Sequence, residues 1–160
     1  MDSQPFTSDT IDALAAAYPL APRHLQHEIA DHPLLQLDAL AALARRLRPE
    51  SIEFNAATET PYTGLDVHET IDRIESCGSW VLLKTIDQDP AYAELMHDVL
   101  GAVAPVVEPR TGAMMRLEGF IFISSPQAVT PLHFDPDYNM LFQARGSKTM
   151  TFFPAGDKEM

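Results

Sequence analysis

Thr130 to Pro154 reads T-P-L-H-F-D-P-D-Y-N-M-L-F-Q-A-R-G-S-K-T-M-T-F-F-P. Its alternation predicts a strand, a turn and two further strands, with Arg145-Gly146-Ser147 as a tight connection. His133 and Asp135 stand two apart in the first strand. Side chains in a strand alternate faces, so these two point the same way. An imidazole beside a carboxylate supplies two thirds of a 2-His-1-carboxylate facial triad. Such a triad holds non-haem Fe(II) and leaves open coordination positions for small molecules. The other reading of the pair is a hydrogen-bonded structural contact. Lys148 falls among Phe142, Met150, Phe152 and Phe153. A lysine buried there needs a partner for its charge, and a ligand carboxylate would serve. Alternatively, Lys148 is an edge-strand charge reaching solvent.

The order Thr130, His133, Asp135, Asn139, Gln143, Gly146, Lys148 matches T-x-x-H-x-D-x-x-x-N-x-x-x-Q-x-x-G-x-K at every position. It resembles the Jumonji C and cupin-like branch of the Fe(II)- and 2-oxoglutarate-dependent oxygenases, most closely its asparaginyl-hydroxylase type. The resemblance implies that His133 and Asp135 ligate iron. It implies that Lys148 pairs with the distal carboxylate of 2-oxoglutarate, that Thr130 hydrogen-bonds the same carboxylate, and that Asn139 lies beside the cosubstrate's metal-bound end. Phe120 or Phe122, on the preceding strand, would form a wall of the pocket; the other reading makes them core aromatics. The match covers about 25 of 160 residues.

The chain of 160 residues suits one domain with a real core, and 46% of it is apolar. The net charge of −12 and the lack of a basic cluster argue against a nucleic-acid partner. A single cysteine, Cys77, excludes an internal disulfide and suits a reducing, cytoplasmic setting. With no second cysteine and no basic neighbour it reads as inert. The N-terminus lacks a basic region followed by an apolar run, and no stretch is long and apolar enough to span a membrane.

From the start, Ser8 or Asp9 would cap a helix over 10–18, ended by Pro19. His24 and His27 lie near one helical turn apart but have no third ligand nearby, and read as surface polar groups. Leu34, Leu37, Leu40, Leu43 and Leu47 recur at helical spacing. That face packs into a core or forms a dimer seam. A short strand over 51–55 and a loop follow. Asp66 would cap a helix through Glu75, with Glu69 completing a capping box. The apolar run 80–86 reads as a buried strand. A helix over 90–107 is expected to break at Pro105 and Pro109, with His97 in solvent, and 115–124 is strand-like.

Helices first and strands later suit an α+β, mainly β architecture. The expectation is a double-stranded β-helix, a cupin-like jelly roll, with a helical segment over 1–50 packed on a barrel formed by 51–160. A jelly roll needs about eight strands, and only five or six candidates precede Met160. His133 is the last histidine. The expectation is therefore that the chain continues and that a later histidine completes the triad. The expected function is an Fe(II)/2-oxoglutarate-dependent, O2-consuming hydroxylase acting on a protein side chain or a small molecule. The alternative is a non-catalytic cupin-like binding module with an incomplete metal site. Unpaired strand edges would favour a homodimer.

Overall fold

The structure is a computed structural model and describes residues 4–54, 63–135 and 138–153. The described residues form four helices and a three-stranded antiparallel sheet of order β1-β2-β3, made by Ile52–Phe54, Trp80–Lys84 and Phe120–Ser124. The helices are α1 (Ser8–Ala17), α2 (Leu37–Ala44), α3 (Val67–Asp72) and α4 (Pro90–Thr111). None is long and apolar enough to cross a membrane among the described residues.

Three of the four helices start at a side-chain cap, and α2, which follows Gln36, does not. The cap of α1 is Thr7, one residue before the expected Ser8, and its hydroxyl accepts the N–H of Thr10. At α3 the expected capping box is present: Asp66 accepts from His68 and Glu69, while Glu69 reaches back to the Asp66 N–H. The N–H of Glu69, and then that of His68, hold the Asp66 carboxyl below its usual range. Asp89 caps α4 through Ala91 and also pairs with Arg46 at 2.6 Å. Burial pushes its carboxyl up, but the Arg46 guanidinium and the nearby backbone N–H groups outweigh burial and leave it lowered.

α4 does not break at its prolines. It runs 22 residues to Thr111 with Pro105 and Pro109 inside it. Both prolines are exposed, four residues apart on one face. The carbonyls they leave without helical partners, those of Gly101 and Pro105, therefore lie on the solvent side, where water can satisfy them. Meanwhile Val99, Val103 and Val106 keep the opposite face buried.

Two apolar clusters result. The larger joins Leu40, Leu43 and Leu47 with Ile71, Ile74, Val81, Leu83, Tyr92 and Ile123, with Leu34 and Leu37 packed against it. The leucine face thus goes into the core. The smaller cluster sits between α1 and α4 and collects Phe6, Leu14, Ile29, Val99, Val103 and Val106. Tyr92 is fully buried, and its hydroxyl donates to the carbonyl of Leu34 at 2.7 Å, with that of Ala39 at 3.3 Å. The sheet turns Val81, Leu83 and Ile123 inward. Phe120 and Phe122 alternate with Ile121 and Ile123 and point to the other face, where Phe122 is 60% exposed. They are not core aromatics, because no layer of the described chain covers that face of β3.

Candidate metal and dicarboxylate site

The segment after β3 leaves the sheet through a buried serine. Ser125 accepts the N–H of Ser79 at 2.9 Å and donates its hydroxyl to the Ile74 carbonyl at 2.5 Å. This ties the end of β3 to β2 and to the turn after α3. Gln127 then takes a positive φ of 66°, and the chain turns away.

From there the expected strands do not form. Residues 126–135 and 138–153 carry no paired strand. Alternating apolar residues favour a strand only where a neighbouring strand and a covering layer receive them, and the described chain provides neither here. The segment is held by side chains instead. Phe142 packs against Phe6 and His27, with ring centroids 6.0 and 5.5 Å apart. Tyr138 packs against Tyr18 at 5.5 Å, and Arg145 pairs with Glu75 at 2.5 Å. The bend at Gly146, with φ 69°, fits the expected tight turn. The Gln143 amide donates to the Arg145 carbonyl across the start of that bend, at 2.8 Å.

His27 is half-buried against Phe142, and its Nδ1 has no hydrogen-bond partner among the described residues. The sequence reading placed it on the surface. Nothing in its spacing signals a ring contact with a residue more than a hundred positions away.

Two contacts join residues that the sequence singles out. The His133 Nε2 and Asp135 Oδ2 atoms lie 3.6 Å apart, both side chains about half exposed. The His133 Nδ1 lies 2.9 Å from the Pro131 carbonyl. A carbonyl can only accept, so Nδ1 is the donor in that contact, and Nε2 is the ring nitrogen that faces the carboxylate. This is how metal-binding histidines are commonly oriented: one ring nitrogen donates to a backbone carbonyl and the other is freed as the ligand. Nitrogen and oxygen ligands sit about 2.0–2.2 Å from a transition metal. Two adjacent octahedral ligands are then about 3 Å apart, so the pair needs to close by only about half an ångström. The donor set fits a metal as two of its ligands. Among the described residues no third histidine, cysteine or carboxylate joins them.

The second pairing is Lys148 with Thr130. The ammonium donates to the Thr130 hydroxyl at 3.1 Å across 18 residues of chain. Thr130 is three residues before His133, a reach of at most about 10 Å. The Lys148–Thr130 contact thus lies close along the chain to the histidine–carboxylate pair. Lys148 is exposed, as are Met150, Phe152 and Phe153, so the deep apolar setting expected for it is absent from the described structure. The reason is again the missing cover over this segment. Asn139 is exposed and hydrogen-bonds to neither pair among the described residues. Phe120 and Phe122 face solvent and are not shown walling a pocket around the two pairs.

A separate open groove of about 610 Å³ lies at the end of the sheet, between Arg48, Ser51, Lys84, Thr85, Gln88 and Phe120 among others. Thr85 adopts a left-handed backbone with φ 47°, rare for a β-branched residue. Its hydroxyl is 2.9 Å from that of Ser51 and accepts from Gln88 at 2.8 Å. No local pattern in the sequence marks this knot. Comparison with protein-family models, with curated proteins and with solved structures returns no match.

Proposed function

We propose that this chain carries the iron- and 2-oxoglutarate-binding half of an oxygenase of the Jumonji C and cupin-like kind. The supporting observation is the contact of Lys148 with Thr130, three residues before a histidine–carboxylate pair in which Nε2 faces the carboxylate. His133 and Asp135 would hold Fe(II), with a third ligand drawn from outside the described residues. The metal supplies activation of O2 coupled to oxidation of 2-oxoglutarate to succinate and CO2. The protein's part is to bind and orient. Lys148 neutralises the distal carboxylate and Thr130 adds a hydrogen bond to it, which fixes the cosubstrate's direction relative to the histidine. Asn139 is assigned to the metal-bound end. The hydroxylated substrate is a protein side chain or a small molecule, and the proposed compartment is a reducing cytoplasm.

The second reading is a binding module of the same ancestry without turnover. It is favoured by the absence of a three-residue ligand group among the described residues. Anaerobic titration tests both readings. Iron-dependent 2-oxoglutarate binding is expected, abolished in His133→Ala and Asp135→Ala, while Lys148→Ala weakens the dicarboxylate more than the iron. Binding with no succinate on admitting O2 selects the module. No iron-dependent 2-oxoglutarate binding removes both.

A further inference from the structure

The outer edge of β3 and the segment that follows it differ from the rest of the chain in charge and in exposed aromatics. Between 120 and 153 the charged residues are Asp135, Asp137, Arg145 and Lys148, two acids against two bases, so the net charge of −12 resides entirely outside this stretch. Phe120, Phe122, Phe134, Tyr138, Phe152 and Phe153 lie within it, each between 47% and 80% exposed. At about 150–250 Å² per aromatic side chain, these exposures leave roughly 600–900 Å² of aromatic surface in water. A stable dimer covers about 800 Å² of surface on each partner.

β3 is also an edge strand among the described residues, and its sequence F-I-F-I-S has no charge, proline or bulge to block pairing. Its outward groups can be identified. Ser125 gives its N–H to Ser79, so by the alternation of an antiparallel ladder Ile123 and Ile121 bond to β2. The N–H and C=O groups of Phe120, Phe122 and Ser124 therefore face the free edge. These three residues are symmetric about Phe122.

We propose that two copies of this chain associate through this surface, with β3 pairing antiparallel to its counterpart about a two-fold axis at Phe122. Phe122 then exchanges both backbone hydrogen bonds with its mate, and Phe120 does so with the mate's Ser124. The sheet becomes six-stranded, with Ile121 and Ile123 continuing the core side and the two Phe122 rings meeting on the open side. A closed, self-complementary contact of this kind needs no second patch. Because both bodies are acidic and the contact is neutral, salt screens the repulsion and tightens the dimer. The inference does not depend on the catalytic proposal.

Sedimentation equilibrium of the whole chain at low and high salt tests it, together with amide exchange at Phe122. The expected result is a particle of twice 17.7 kDa, favoured by salt, with the Phe122 amide protected only in the dimer. Phe122→Lys, which places a charge on the edge without touching the core, should return the monomer. Leu20→Lys, exposed and outside the surface, should leave the dimer intact. The proposal is overturned by a monomer at the highest attainable concentration in high salt, by a dimer that survives Phe122→Lys, or by a dimer with an unprotected Phe122 amide. Open-ended assembly overturns it too. So does a chain that stays monomeric but protects the Phe122 amide on addition of an extended apolar peptide.

Discussion

Replacing Tyr92 by Phe removes one oxygen from the centre of the larger core, and the structure fixes what that should cost. The ring is fully buried, and its hydroxyl donates to Leu34 on the turn before α2, beside the carbonyl of Ala39 within it. A buried hydrogen bond contributes about 0.5–1.5 kcal/mol net, and a carbonyl stripped of its partner adds to the loss, so about 1–2 kcal/mol is expected near neutral pH. The pH dependence carries the sharper test. Burial, foremost, pushes the Tyr92 hydroxyl from 10.0 up to about 12. A group whose folded value is raised stabilises fully below its unfolded value, and that stability is lost as pH rises through the folded value. Between pH 10 and 12 the native protein should therefore lose at most about 2–3 kcal/mol that Tyr92→Phe never had. Urea unfolding of both proteins at neutral pH and above pH 11 measures the difference directly, because every other titrating group is shared. The gap should favour the native protein near neutrality and shrink to nothing, or reverse, in alkali. Equal midpoints at neutral pH, or a gap that does not change with pH, would refute the reasoning.

Asp89→Asn keeps a competent helix cap but loses the ion pair with Arg46. About 1 kcal/mol should vanish at neutral pH. Because the folded carboxyl is lowered from 3.8, its contribution holds above that value and fades as pH falls through the folded one, so the two proteins should converge in acid unfolding curves. Gly119→Ala would set a methyl group 2.5 Å from the Met96 sulfur and 2.6 Å from the Ile86 side chain. Overpacking of this kind costs about 1–3 kcal/mol, which a lowered denaturant midpoint would show and an unchanged one would deny. Phe142→Ala should loosen the segment carrying the candidate ligands, read as faster amide exchange over 138–148 with little change in α2 and β2.

Much of the helical layer was legible because its determinants are local. The Asp66–Glu69 capping box and the apolar run of β2 act within a few residues and are found where the pattern placed them, whereas the helix expected over the leucines of 34–48 forms only over Leu37–Ala44, with Leu34 in a separate 3-10 turn, Pro33–Leu35. The failures share a cause as well. Pro105 and Pro109 break a helix only if the carbonyls they orphan are buried, and their exposure depends on where α1 packs. Phe120 and Phe122 look like core by composition, but the sheet's register decides which face of β3 is covered. In the candidate site, His133 and Asp135 are near each other although the strand from which their shared face was argued does not form. The Thr130–Lys148 contact spans 18 residues, and no local pattern marks it; the family resemblance implies only that both residues reach the same carboxylate of a ligand. The strands expected over 130–153 depend on neighbours that the pattern itself does not supply.

The aromatic contacts of Phe142 with Phe6 and of Tyr138 with Tyr18 carry a consequence for anyone handling this chain. They hang the ligand-bearing segment from the first eighteen residues, which contain none of the candidate chemistry. The residues flanking the amino-terminal helix, Phe6 before it and Tyr18 at its close, thus hold the segment that carries the candidate ligands. Trimming these residues to obtain a smaller fragment, or fusing a bulky tag against Phe6, would blur the positions of His133 and Lys148 while leaving both residues intact.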